Sequence, residues 1–194
     1  MASRGEIIAV ASKLFVEKGF EKTTMGDIAN ALGVHKGSLY HHISSKSEIF
    51  YEIVMLGFKD SGKELEQVRI SGLEPMEKLK KAVSVHFENI LRNSLEYQVL
   101  LNERRYMLDP EQEDRVRRQM KAYENSLFEI LKQGVEAGVF RDNLKPRVIV
   151  AGIIGVGNAI YKWFSFNGPL DYGDVARTYA EFFITGIMKK GPCL

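Results

Sequence analysis

Apolar residues recur along this chain at spacings of three and four, the repeat of an α-helix with one hidden face. The first run is Ile7, Ala11, Leu14 and Phe15. Ser3 and Glu6 precede it in the S-x-x-E order of a capping box, in which each side chain satisfies a backbone N–H at the helix start, and Gly19 ends it. Thr24-x-x-Asp27 opens a second, short helix carrying Ile28, Ala29 and Leu32, which Gly33 closes. A third short helix is predicted roughly from Lys36 to His42. Ser45-x-x-Glu48 opens a long fourth through Ile49, Ile53 and Leu56.

The same repeat continues to the end. After "SGLEP" a fifth helix carries Leu79, Val83, Phe87 and Leu91, and a sixth covers roughly Leu95 to Met107. Asp109-Pro110 starts a seventh, because Asp caps and Pro is tolerated in a first turn. It shows Val116, Met120, Tyr123, Leu127 and Leu131 and stops near Gly138. The eighth, "VIVAGIIGVGNAIY" after Pro146, falls short of the ~20 apolar residues a membrane span needs and reads as a buried helix. Its glycines at 152, 155 and 157 each cost ~1 kcal/mol relative to Ala. Close approach of another helix, or space for a ligand, would offset that cost. Asp171-x-x-Asp174 opens a ninth with Val175, Tyr179, Phe182, Phe183, Gly186 and Ile187 on one face. No strand pattern or internal repeat is found. The predicted fold is all-α: a three-helix helix-turn-helix unit over residues 1–46 and a larger helical domain over 47–194.

Composition adds bounds. The 194 residues are 45% apolar and 27% charged, with a net charge of +2. The chain is no polycation, so any nucleic-acid contact must rest on local charge. The single Cys193 allows no intramolecular disulfide and fits a reducing compartment. "MASRGEIIAV" lacks the apolar core of a signal peptide. A cytoplasmic protein without a membrane partner is expected. An enzyme is not: there is no nucleophile elbow, and "GIIGVG" lacks the strand a dinucleotide fingerprint requires. No cofactor is expected either.

Candidate chemistry gathers in "GVHKGSLYHHISSKSEI", Gly33 to Ile49, which holds three of the four histidines. Residues 28–47 contain no acid. Two short helices joined through Gly33-Val34 make a helix-turn-helix, whose second helix enters the major groove by its first residues. His35, Lys36 and Ser38 can then donate to bases or phosphates, and Gly37 lets the backbone come close. Tyr40 and His41 can reach phosphate oxygens. Lys46 starts helix four, where free N–H groups and the helix dipole favour an anion. A zinc site fits less well, since His41 and His42 are adjacent rather than four apart and no cysteine is near. Solvated polar residues on a short helix remain the plain alternative.

"FEKTTMGDIANALGVHKGSLYHHISSKSEIF" closely resembles the DNA-binding region of the TetR/AcrR family of transcriptional repressors. The likeness rests on Thr23-Thr24, Asp27-Ile28-Ala29, Gly33-Val34, Gly37, Leu39-Tyr40 and Lys46 with Glu48, and covers roughly residues 4–58. It makes Thr24, His35, Lys36, Gly37, Ser38, Tyr40, His41 and Lys46 the candidate contacts to a double-stranded DNA operator. Position 35 often holds a small hydroxyl residue in that family, which caps the recognition helix. Histidine there leaves the cap in question and suggests a DNA contact instead. The resemblance also implies a homodimer through the last two helices, a role the apolar helices eight and nine suit. Closing a monomeric core is the alternative for them.

The family implies an effector among the middle helices. Helices six and seven carry Arg104, Arg105, Arg115, Arg117 and Arg118, and arginine suits phosphate through its planar fork. Salt bridges to Glu111, Glu113 and Asp114 are the plain alternative. Glu103 falls on the apolar face of helix six. "GNAIYKWFSFNGPL" looks like a "W-[YF]-x-x-x-G-x-L" segment of family members that answer to acyl-CoA thioesters. An acyl-CoA is therefore the expected small hydrophobic effector, its chain near Phe87, Val99, Met120, Tyr123 and Trp163 and its phosphates on Arg104, Arg105 and Arg118. A multidrug-efflux regulator sensing lipophilic compounds is the runner-up, and a helical lipid carrier is the reading from another class.

Overall fold

The structure, a computed structural model, describes residues 2–103, 108–165 and 168–189, without the side chains of Lys59, Asn102 and Glu103. Among the described residues the helices are α1 (Arg4–Lys18), α2 (Met25–Leu32), α3 (Lys36–Tyr40), α4 (Lys46–Ile70), α5 (Pro75–Arg92), α6 (Ser94–Glu103), α7 (Pro110–Glu136), α8 (Pro146–Ala159) and α9 (Tyr172–Ile187). A 3-10 turn at Ile160–Lys162 follows α8. No strand occurs among these residues; one isolated antiparallel bridge joins Phe140 to Met188. No helix among them is long and apolar enough to cross a membrane.

Local chemistry sets the helix starts. Ser3 and Glu6 complete both arms of the capping box, with the Ser3 N–H donating to Glu6 Oε2 at 2.7 Å. Thr24 and Asp27 do the same for α2. The box at α4 differs from expectation. Ser45 Oγ accepts the Glu48 N–H at 3.0 Å, but the Glu48 carboxylate reaches past Ser45 to the Ser44 N–H at 2.8 Å and its hydroxyl at 2.5 Å. The third helix is shorter than predicted: the N–H groups of His42 and Ile43 both turn to the Leu39 carbonyl at 2.9 Å.

The chain divides into two compact units, residues 1–58 with 93–118, and residues 59–92 with 119–194. In the first, α1 packs on α2 and α6. Its core holds Ile7, Phe15, Ile28, Leu39, Ile43, Ile49, Phe50 and Ile53, all nearly or fully buried. Phe20 lies 5.0 Å from Phe15 and 5.4 Å from Phe50, ring centre to ring centre. In the second unit α5 is central and packs on α8 and α9. Phe87 stacks on Tyr179 with ring centres 4.8 Å apart and planes 5° from parallel.

The glycines of α8 have separate fates. A Cβ on Gly157 would lie 2.3 Å from His86 Nε2 and 2.8 Å from Ile90 Cδ1, so close approach of α5 explains this one. Gly155 faces open space. Val148 is 66% exposed in the single chain, and Ala151, Gly155 and Ala159 are exposed on the same helix. On α9, Phe182 is 67% exposed, whereas Phe183 is half-buried and faces Gly152.

Candidate DNA-binding head and effector region

The turn between α2 and α3 requires a glycine. Gly33 has φ +66°, a left-handed backbone that L side chains rarely adopt. The Gly33 N–H donates to the Asn30 carbonyl at 3.1 Å and the Val34 N–H to the Ala29 carbonyl at 3.0 Å, which closes the turn. Leu39 then faces inward, 1% exposed, and fixes the roll of α3. Lys36, Gly37, Tyr40 and His41 are left exposed, and Ser38 is half-buried.

His35 corrects the expectation drawn from its family position. Its Nδ1 accepts the Gly37 N–H at 3.1 Å, so the imidazole does cap α3. That acceptor role puts the ring hydrogen on Nε2. Thr24 is exposed, but its hydroxyl donates to Asp27 Oδ2 at 2.6 Å and accepts the Asp27 N–H at 3.0 Å. These Thr24 bonds, with a smaller contribution from Lys18, bring the Asp27 carboxyl down to about 2.

Lys46 corrects a second expectation. Its ammonium donates to the carbonyls of Phe20 at 2.6 Å, Thr23 at 2.8 Å and Glu21 at 3.3 Å, and sits 4.2 Å from the Phe20 ring centre. An ammonium has three N–H donors, and all three are taken. In this geometry Lys46 ties the start of α4 to the α1–α2 loop rather than presenting its charge to a phosphate.

The expected effector residues are divided between the two units, and some lie outside the described residues. Glu103 closes α6, but its side chain, with Arg104 and Arg105, lies outside the described residues. Val99 is buried in the first unit. Phe87 is spent on Tyr179, and Met120 is half-buried. Trp163, expected near an acyl chain, is 48% exposed because it follows the 3-10 turn that ends α8. Arg118 pairs with Asp114, as Arg117 does, and Arg115 pairs with Glu111. All three guanidinium groups are more than half exposed, so the plain alternative describes them: a solvated ladder along one helix.

Tyr123 belongs to a feature that the sequence did not announce. Its hydroxyl lies 2.9 Å from Nδ1 of His86, which is 2% exposed. The rings of Phe87 and Tyr123 flank this imidazole at 5.5 and 5.7 Å. Nε2 is buried with no hydrogen-bond partner among the described residues, although the Ile153 and Ile154 carbonyls of α8 act on the ring. Burial pushes the imidazole down to about 4, and the two carbonyls, which pull the other way, do not offset it. The signal was present: positions 79, 83, 86 and 90 share one helical face, and three of them are Leu, Val and Ile. In the same unit, a cavity of about 560 Å³ opens between the second half of α4 and α5, with Val68 and Val85 in its wall and Lys63 and Lys81 beside them.

Known proteins share this architecture. The family model described as "Bacterial regulatory proteins, tetR family" matches residues 7–53, and "Tetracyclin repressor-like, C-terminal domain" matches residues 72–187. The transcriptional repressor KstR2 of Mycobacterium tuberculosis is 30% identical over 97% of this chain and 94% of its own. The solved structure of that ketosteroid regulator superposes with a TM-score of 0.90 at 27% identity, covering 98% of this chain and 97% of the other. The TetR-family regulator PfmR of Thermus thermophilus gives 0.83 at 32% identity, over 94% and 98%. AibR, solved with isovaleryl coenzyme A and operator DNA, gives 0.78 at 27% identity, over 91% and 95%. With a matched head, a matched C-terminal domain and a relative similar over nearly its whole length, the chain belongs to the TetR family of bacterial transcriptional regulators.

Proposed function

We propose that this regulator is a ligand-released repressor that binds a palindromic operator as a homodimer and answers to an acyl-CoA thioester. The DNA part rests on the outward row Lys36, Tyr40 and His41 within a stretch, residues 28–47, that contains no acid, with Leu39 fixing its direction. The dimer is supported by apolar surface that one chain leaves uncovered: Val148, Ala151 and Gly155 on α8, and Phe182 with Gly186 on α9. Isologous pairing of such a face implies a two-fold operator. Phe182, not the half-buried Phe183, is the residue to change. Phe182→Glu should weaken association about a hundredfold or more, because a charge must be buried unpaired in each copy. Sedimentation at micromolar concentration reads this; an unchanged dimer would reject the assignment of that face.

The effector is supported by the ligand of AibR, isovaleryl coenzyme A, and by the apolar interior of the larger unit. The three described arginines of α7 give no preformed phosphate clamp, so the CoA part requires either their release from Asp114 and Glu111 or other cations. Calorimetric titration of palmitoyl-CoA and isovaleryl-CoA beside free palmitate tests the class. The thioesters should bind and release a fluorescent duplex selected by the protein from a random-sequence pool. Two-carbon extension should tighten binding about tenfold, at ~0.8 kcal/mol per buried methylene, until the site is full. Equal affinity for palmitate and palmitoyl-CoA would remove the CoA from the proposal and favour a general sensor of lipophiles.

A further inference from the structure

A recognition helix of five residues cannot hold itself in place, since isolated helices of that length are unstable in water. Leu39 and Ile43, each 1% exposed, anchor one side of it, and His35 caps its start. Its far end is held from an unexpected place. Arg4, the first residue of α1, donates through Nη1 to the His42 carbonyl, two residues beyond α3. The same guanidinium donates through Nε to both oxygens of Glu52 at 2.8 and 3.0 Å, and through Nη2 to Glu48 at 2.6 Å and to Glu52. Glu48 in turn accepts the N–H and hydroxyl of Ser44. One planar cation therefore joins the start of α1, the chain leaving the recognition helix and the first two turns of α4.

The charges explain what this group does not do. Two carboxylates surround one guanidinium, so the cluster is net negative and its cation is already occupied. The side chains are 45%, 27% and 24% exposed for Arg4, Glu48 and Glu52, and ion pairs so open to water add little stability. What they supply is direction, because the fork of an arginine fixes its partners in a plane.

We infer that Arg4, with Glu48 and Glu52, is a positioning group for DNA recognition: it sets the recognition helix against the first turns of α4 without touching phosphate. Its sign separates it from a field effect. Glu52→Gln removes a negative charge from the DNA-binding head, which by electrostatics alone should tighten DNA binding. Loss of positioning should instead weaken specific binding.

The test uses the full chain, a duplex selected by the wild-type protein from a random-sequence pool, and an unrelated duplex of equal length. Arg4→Gln and Glu52→Gln should each weaken the selected duplex about tenfold, the scale of a lost charge-assisted hydrogen bond. Neither should change the salt slope of log K, and the unrelated duplex should be little affected. Arg4→Lys keeps the charge but not the fork, and should recover only part of the loss. If Arg4→Gln does not fold, Glu52→Gln decides the matter by its sign. Binding of the selected duplex by Glu52→Gln as tight as wild type, or a fall of ~0.9 per lost contact in the slope of Arg4→Gln, overturns the inference.

Discussion

Gly157→Ala should destabilise the unit of residues 59–92 and 119–194 by about 1–3 kcal/mol, the range for an atom forced into a packed core. The sign is the informative part. Alanine in a helix interior is normally more favourable than glycine by ~1 kcal/mol. At Gly157 the added carbon would meet His86 Nε2 at 2.3 Å, Cδ2 at 2.8 Å and Ile90 Cδ1 at 2.8 Å. The ring has no easy retreat, because it is 2% exposed and its Nδ1 is engaged by Tyr123. Gly62→Ala is the matched control. Gly62 lies inside α4 with nothing within 4 Å of its would-be Cβ, and the change should stabilise by ~0.5–1 kcal/mol. Urea midpoints at constant m-value read both. Equal stabilisation by the two substitutions would mean that α5 and α8 are not in this close contact.

Acid should weaken the same contact. The His86 imidazole is held down to about 4 from an ordinary 6.5, first by burial. The unfolded chain therefore takes up the proton before the folded one does. Stability from this group is complete above pH ~6.5 and is lost as pH falls toward 4, about 3 kcal/mol over the whole window and about 2 kcal/mol by pH 5. Carboxylates held below their ordinary range, Asp27 and Glu48 among them, work lower on the scale: their contribution is present above the unfolded carboxylate pKa and falls away in stronger acid. The interval from pH 6.5 to 5 thus isolates the histidine. His86→Gln should be less stable at pH 7 yet nearly flat across that interval. A wild-type urea midpoint that does not move between pH 7 and 5 would show that His86 is not buried neutral.

The helices were legible because their causes are local. A capping box needs only residues three apart, and Gly33 needs only its own φ, so Ser3, Thr24 and Gly33 did as their spacing implied. The roles of Lys46 and Arg4 were not legible, because their partners lie far along the chain. Lys46 is satisfied by carbonyls 23–26 positions away, and backbone carbonyls leave no mark in a sequence. Arg4 reaches acids 44 and 48 positions away, and nothing in "MASRGE" singles it out. Arg118 shows the local case: its partner Asp114 is one turn away, the pairing that the neighbouring acids in the sequence already offered as the alternative. His35 shows a substitution of means. An imidazole nitrogen took the acceptor role of a hydroxyl two residues before the N–H it satisfies.

The recognition helix also separates two kinds of selection. Leu39 and the following Ile43 answer to folding, since both are buried and both tie α3 to its unit. Lys36, Tyr40 and His41 carry no such burden, being exposed, and surface substitutions of that kind usually change stability by no more than ~0.5 kcal/mol. Mutations at these three positions can drift without being removed by misfolding. On the DNA-contact role proposed for these positions, a duplicated copy of this gene could move to a new operator through single, individually tolerated steps, while its fold stayed under separate constraint.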